Sequence, residues 1–197
     1  YAGLPPTSVI ENALPERVAA APHVLGRPAR LLSFGRFVAF KNLPVLVRAL
    51  RDLPDCTLTF VGEGPAEGSI RQALAGHPDV APRVSFRPTA HGQEKAEVFA
   101  AHDLLVVPSL TDISPNAALE ARSAGLPVLL TRETGLSDRL TAGMRLADLE
   151  TSAAVAAAVR GALADYAELA AEAARPPLAR GWDIVAAEHL ALFSRLS

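Results

Sequence analysis

The sequence contains one cysteine, Cys56, in 197 residues. A single thiol excludes an internal disulfide and a cysteine-based zinc cluster, and makes a reducing compartment the default expectation. No apolar run approaches the roughly 20 residues that a membrane-spanning helix needs. Tyr1 to Pro6 lack the charged-then-apolar layout of a signal peptide. Net charge is also missing: 19 Lys and Arg face 21 Asp and Glu, a formal balance of −2. That argues against a nucleic-acid binder that works by neutralising phosphates. Lysine itself is scarce, since the 19 basic residues include only Lys41 and Lys95. In a chain rich in Ala, Arg and Pro this is a composition bias, against which a lysine inside a motif stands out. The five histidines, His23, His77, His91, His102 and His189, show no i,i+4 pair and no nearby group of carboxylates, so none is assigned to a metal. Gly-x-Ser-x-Gly, Walker and Asp-x-Asp motifs are absent.

What is present is half apolar and 20% charged, enough for one sizeable core and against wholesale disorder. Residues 1–28 are rich in Pro, weakly periodic and read as a linker or lead-in, with Ser8-Val9-Ile10 as a short candidate strand. From Arg30 a regular alternation begins. Leu31 to Phe34 is a short strand ending at Gly35, and Leu43 to Leu53 has helical spacing with Pro44 in its first turn. Strands follow at Thr57 to Val61, Val84 to Phe86, Leu104 to Val107 and Pro127 to Leu130, with an edge strand at Met144 to Leu146. Helices are expected at 66–75, 93–101 and 116–124, then near 151–164, 166–174 and 183–195. Strands alternating with helices imply right-handed βαβ units and an α/β doubly wound parallel sheet of about six strands, helices on both faces. Ligands in such sheets sit outside the carboxyl ends of the strands, which directs attention to the loops that follow them.

Four loops carry candidate chemistry. Gly35-Arg36-Phe37-Val38-Ala39-Phe40-Lys41-Asn42 places an Arg and a Lys ahead of a helix, a pair suited to a diphosphate or else two solvated surface cations. Gly62-Glu63-Gly64-Pro65 allows close backbone approach, or is a tight strand-to-helix turn. It is not the dinucleotide fingerprint, because the third Gly or Ala is missing. Pro108 to Ala121 holds Asp112 and Glu120 on either side of a helix start, with Ser114 as N-cap and Pro115 as first helical residue. Its free amides offer an anion- or hydroxyl-binding end. The two carboxylates could accept bonds from sugar hydroxyls, or be an N-terminal acid favoured by the helix dipole and a surface Glu. In Thr131 to Asp138, Gly135 would let the backbone turn at a ligand, or the stretch is a simple loop.

Gly-Arg…Lys-Asn, Val-Gly-Glu-Gly-Pro, His-Asp-Leu-Leu-Val-Val-Pro-Ser, Asp112…Ser-Pro-Asn-Ala-Ala-Leu-Glu-Ala and Ala-Gly-Leu-Pro-Val occur in one order. That order resembles the C-terminal, donor-binding domain of glycosyltransferase family 4, whose members are retaining enzymes of the GT-B fold. The resemblance covers roughly residues 8–195. Val9-Ile10-Glu11-Asn12-Ala13 resembles the segment that enters this domain, and Trp182 to Leu196 the helix that closes it. The resemblance implies that Arg36 and Lys41 bind the diphosphate, that Glu120 holds the ribose and that Asp112 contacts the donor sugar. Arg36, Lys41 and Asp112 are then the catalytic set. It further implies that Ser114, Pro115, Asn116 and Ala117 form the turn that touches sugar and phosphate. Arg87 and Pro88 would frame the base, with Gly35, Gly62 and Gly64 near the donor. Two departures stand out: Asp112 is one methylene shorter than the family's Glu, and Pro115 has no amide to donate.

The implied function is donor binding for a hexosyltransferase that moves a hexose from a UDP-, GDP- or ADP-sugar to a glycan or lipid-linked acceptor, as in polysaccharide biosynthesis. No metal or other cofactor is expected. Residues 29–197 form the donor domain, and an N-terminal acceptor domain outside this chain is the expected partner, so the chain alone is expected to be inactive. The location implied is cytoplasmic, with any peripheral membrane contact made through the other domain. The rival readings are a sugar-nucleotide epimerase of the same architecture and a degenerate, non-catalytic nucleotide-sugar-binding or scaffold domain.

Overall fold

A computed structural model describes residues 8–14, 22–176 and 179–195. Six strands, β1 Ala29–Phe34, β2 Cys56–Val61, β3 Val84–Arg87, β4 Leu104–Val107, β5 Val128–Thr131 and β6 Arg145–Ala147, form one sheet. All its pairings are parallel, in the order β3-β2-β1-β4-β5-β6. The helices are α1 Pro44–Ala49, α2 Glu67–Ala75, α3 Gly92–Ala100, α4 Asn116–Ser123, α5 Asp138–Thr141, α6 Ser152–Ala164, α7 Tyr166–Ala174 and α8 Trp182–Phe193.

Alternate strand residues face opposite sides and find different helices. Leu31, Leu58, Phe60, Leu104, Val106 and Leu129 pack with Leu46 of α1, Leu50 just after it, Ile70 of α2 and Val155 and Val159 of α6. Leu32, Val61, Leu105, Val107, Val128 and Leu130 pack with Val98 and Phe99 of α3 and Ala118 and Ala121 of α4. Strands β4 and β5 are buried along their whole length, as a parallel sheet covered on both faces requires.

The amino ends of β1 and β4 are locked by a residue whose chemistry its sequence context hides. Asp103, in the short connection between α3 and β4, is wholly buried. Its carboxylate accepts bonds from Arg30 N (2.7 Å), Nε (3.0 Å) and Nη2 (2.6 Å). Its carbonyl accepts the Tyr166 hydroxyl at 2.8 Å, which ties α7 to the same point. The hydrogen bond and ion pair with Asp103 push the Arg30 guanidinium's pKa up.

Element boundaries fall within one or two residues of the sequence reading, apart from the short α5, which it does not place, and three further differences. Ser8-Val9-Ile10 joins no strand among the described residues. The end of the expected 43–53 helix tightens to a 3-10 turn at Leu50–Asp52. Ser114 does not cap α4: Pro115 is the N-cap, at ψ 80°, and Asn116 is the first helical residue. The Ser114 hydroxyl instead accepts a bond from Asn12 Nδ2 at 2.9 Å. Residues 1–7, 15–21, 177–178 and 196–197, which include much of the lead-in and Leu196, lie outside the described residues.

Because Asp103 is buried and bonded through three donors of Arg30, Asp103→Ala is expected to destabilise the fold by about 3 kcal/mol. Tyr166→Phe, which deletes one hydrogen bond, should cost about 1 kcal/mol. Urea denaturation of both variants checks the ranking.

Candidate functional site

The strand order reverses between β1 and β4, and these two strands pair at only two positions, Leu31 with Leu104 and Leu32 with Leu105. Beyond them their loops emerge on either side of a crevice lined by Gly35, Arg36 and Lys41 from one strand and Val107 and Pro108 from the other. A larger groove, about 670 Å³, lies elsewhere, between the lead-in, α5 and α8. Two of its three arginines are committed: Arg139 pairs with Glu11, and Arg180 binds Glu188 and the carbonyls of Glu11 and Asn12. The crevice at the reversal is the candidate site because chemistry-bearing side chains converge there.

Local sequence explains how the β1 loop presents its cations. Phe37 is buried edge-on against Phe60, which roots the loop in the core and leaves the adjacent Arg36 exposed. Arg36 has no partner among the described residues. A 3-10 turn at Ala39–Lys41 ends at Asn42, whose left-handed φ of 53° turns the chain into α1. The Asn42 side chain donates to the Glu150 carbonyl at 3.1 Å and fixes that turn.

Lys41 is held by Asp112. Its Nζ lies 2.6 Å from Asp112 Oδ2, with the two side chains only 19% and 9% exposed. Ser109 Oγ donates to the same oxygen at 3.1 Å, and Leu110 N donates to the Phe40 carbonyl at 2.8 Å, so the two loops are joined by side chain and backbone. The backbone of Asp112 is bound too: its N–H donates to Glu133 O, and its carbonyl accepts from Gly135 N and Thr134 Oγ1. The residue expected to meet the donor sugar therefore spends its visible contacts on Lys41, Ser109 and the β5 loop.

The glycines serve this loop packing. Gly62 and Gly64 have φ of +141° and +152°. A Cβ on Gly62 would strike the Gly35 carbonyl, and one on Gly64 the Phe37 carbonyl, so both let the β2 loop lie against the β1 loop. Gly135, expected to turn at a ligand, makes room for the Ile113 backbone instead. Gly35, at φ +116°, borders open space. The α4 start is less open than expected: Asn116 N donates to Ser114 O and Ala118 N to Pro115 O, while Ala117 N has no partner among the described residues.

Glu120 lies on α4 with its Oε1 3.1 Å from Lys95 Nζ of α3, the two side chains 29% and 27% exposed. Arg87 and Pro88, at the exposed end of β3, lie beside α3, and Arg87 pairs loosely with Glu94 at 3.4 Å. The structure thus brings Gly35, Arg36 and Lys41 to one crevice, sets Asp112 on Lys41 and places Glu120 at the α3–α4 contact. It adds Ser109, Asn12 and Lys95, which the sequence reading does not assign; for Lys95 the scarcity of lysine was the available signal. Among the described residues no group of three or more His, Cys, Asp or Glu could hold a metal ion.

The chain belongs to the glycosyl transferases group 1 family, whose model matches residues 28–165. Sulfoquinovosyl transferase SQD2 of Arabidopsis thaliana is 31% identical over 115 residues, 57% of this chain and 22% of that protein. The sucrose-phosphate synthase of Thermosynechococcus elongatus superposes with a TM-score of 0.72 at 25% identity, covering 85% of this chain and 45% of that one. HepE of Anabaena, solved in complex with UDP and glucose, superposes at 0.70 with 18% identity and covers 84% and 48%. The six-stranded sheet is the Rossmann-like fold of GT-B glycosyltransferases, and the chain spans less than half the length of these relatives.

Gly62→Ala is expected to push the β1 loop away from the β2 loop and to destabilise the protein by about 2 kcal/mol, since it combines a positive φ with a backbone clash. Gly68→Ala, where a Cβ would meet open space, is the control expected to be neutral or stabilising. Thermal unfolding of the pair measures the difference.

Proposed function

We propose that this chain is the C-terminal, nucleotide-sugar-binding domain of a retaining glycosyltransferase of family 4. In this reading it holds a nucleoside-diphosphate hexose whose sugar passes to a glycan or lipid-linked acceptor. The observation that carries it is the unpartnered Arg36 guanidinium beside a part-buried Lys41 ammonium at the crevice where the strand order reverses. A departing nucleoside diphosphate develops negative charge, which fixed cations and amides stabilise without reorganising. Arg36 offers a planar fork, Lys41 a point charge and Ala117 N one amide, and no metal is invoked.

Glu120, on the next element, accepts the ribose hydroxyls. Arg87 and Pro88 border the base, and Ser114, Pro115 and Asn116 border the sugar. Asp112 acts first as the counter-ion that orients Lys41; its reach to the sugar is secondary. Gly62 and Gly64 act through the loop that they support. The acceptor and the remaining groups of the reaction belong to an N-terminal domain, with residues 1–28 as the connection and 29–197 as the donor domain. The relatives' activities as sugar transferases support this reading, as does the order of motifs along the chain.

Calorimetric titration with UDP, GDP and ADP tests it. One of the three is expected to bind. Lys41→Ala should weaken it by about tenfold or more, the worth of a charge-assisted bond. Arg36→Ala should do the same for the nucleotide and for inorganic pyrophosphate alike. Unchanged affinity in both variants would refute the site. Incubated with donor and acceptor, the chain alone is expected to transfer no sugar.

A further inference from the structure

The chain has two lysines, and each sits against one of the two carboxylates that flank the start of α4: Lys41 on Asp112 and Lys95 on Glu120. The other ion pairs among the described residues are made by arginines. Lys95 is the fourth residue of α3, and its amide donates to the His91 carbonyl. A cation so near a helix N-terminus opposes the macrodipole, so local helix energetics do not account for it. Its contact is also not the common local kind, because it crosses from α3 to α4 where both helices cover the same face of the sheet.

The choice of lysine has a chemical consequence. An arginine's fork engages both oxygens of a carboxylate, whereas an ammonium is a compact charge that can sit on one. Lys95 lies on Oε1 of Glu120, and Oε2 has no partner among the described residues. With both side chains about seven-tenths covered, the pair is partly shielded from water, which strengthens its hold on the carboxylate's direction.

We propose that Lys95 is the positioning residue of the nucleoside end of the site. It fixes the Glu120 carboxylate as an oriented acceptor with one oxygen committed and the other presented to the vicinal diol of a ribose. The proposal rests on the donor-binding reading above and adds to it a residue with no phosphate contact of its own. Its action is confined to ligands that carry a ribose.

The test is calorimetry on the folded chain with the nucleoside diphosphate that binds, its 2′-deoxy counterpart and inorganic pyrophosphate. The variants are Lys95→Met, Glu120→Gln and the double variant. Lys95→Met is expected to weaken the nucleotide about five- to tenfold, within the range of one charged hydrogen bond. It should narrow the preference for ribose over 2′-deoxyribose and leave pyrophosphate binding unchanged, which also shows that the variant is folded. In the Glu120→Gln background the Lys95 substitution should cost little, because the two act as a unit. Wild-type binding with no loss in Lys95→Met overturns the proposal alone, as does an equal loss for pyrophosphate, which would make Lys95 a phosphate contact. Failure of the wild type to bind any of UDP, GDP or ADP overturns the donor-binding reading, and this proposal with it.

Discussion

The seam between β1 and β4 is the constraint on which the rest of the structure depends. Only two residue pairs join these strands, yet at this point the sheet reverses its winding and the crevice opens. An ion pair closes the seam at each edge. At the amino edge Arg30 and the buried Asp103 hold the strands in register and bring in Tyr166. At the carboxyl edge Lys41 and Asp112 join the loops that leave the same two strands. The first pair has only a structural task. The second lies where a ligand would approach, so it orders the loops and holds a cation ready.

The loops meet because of specific small residues and one large one. Phe37 fills the core beneath Arg36, and Gly62 and Gly64 let the β2 loop lie against the backbone beside it. Gly135 does the same between the β5 loop and the Ile113 backbone. The loops after β1 and β5 therefore brace the β4 loop, with the β2 loop supporting the first of them, and Asp112 gathers the hydrogen bonds of the bracing pair. An anion that engages Lys41 meets an ammonium already positioned, at the cost of sharing it with Asp112. A site of this kind favours a multiply charged ligand, such as a diphosphate, that can use Arg36 at the same time.

The sheet was legible in the sequence because its signals are strong and local: short runs of three to five mostly apolar residues, three of them stopped by Gly35, Gly62 and Pro108, alternating with helical spacing. The candidate cations were legible from their place after β1. What the sequence hid depends on contacts distant along the chain. Asp103 looks like a turn residue until Arg30 is brought beside it, 73 residues away. Ser114 has the composition of an N-cap, but Asn12 reaches it from 102 residues upstream, and the helix starts one step later. Gly62 and Gly64 look like openings for a ligand, and the carbonyls that fill the space beside them become visible only when the two loops are brought together in three dimensions. Lys95 was marked by rarity alone, since its partner Glu120 lies on a different helix.

With only two lysines in the chain, selective ¹⁵N labelling of lysine gives two side-chain ammonium signals, which Lys41→Arg and Lys95→Arg assign. The most direct measurement is to follow both signals through a titration with the bound nucleoside diphosphate and, separately, with inorganic pyrophosphate. If the diphosphate sits at the β1–β4 seam and the ribose at Glu120, pyrophosphate moves the Lys41 signal alone, and the nucleoside diphosphate moves both. A nucleotide that bound while leaving the Lys41 signal unmoved would contradict the placement of the diphosphate at the seam.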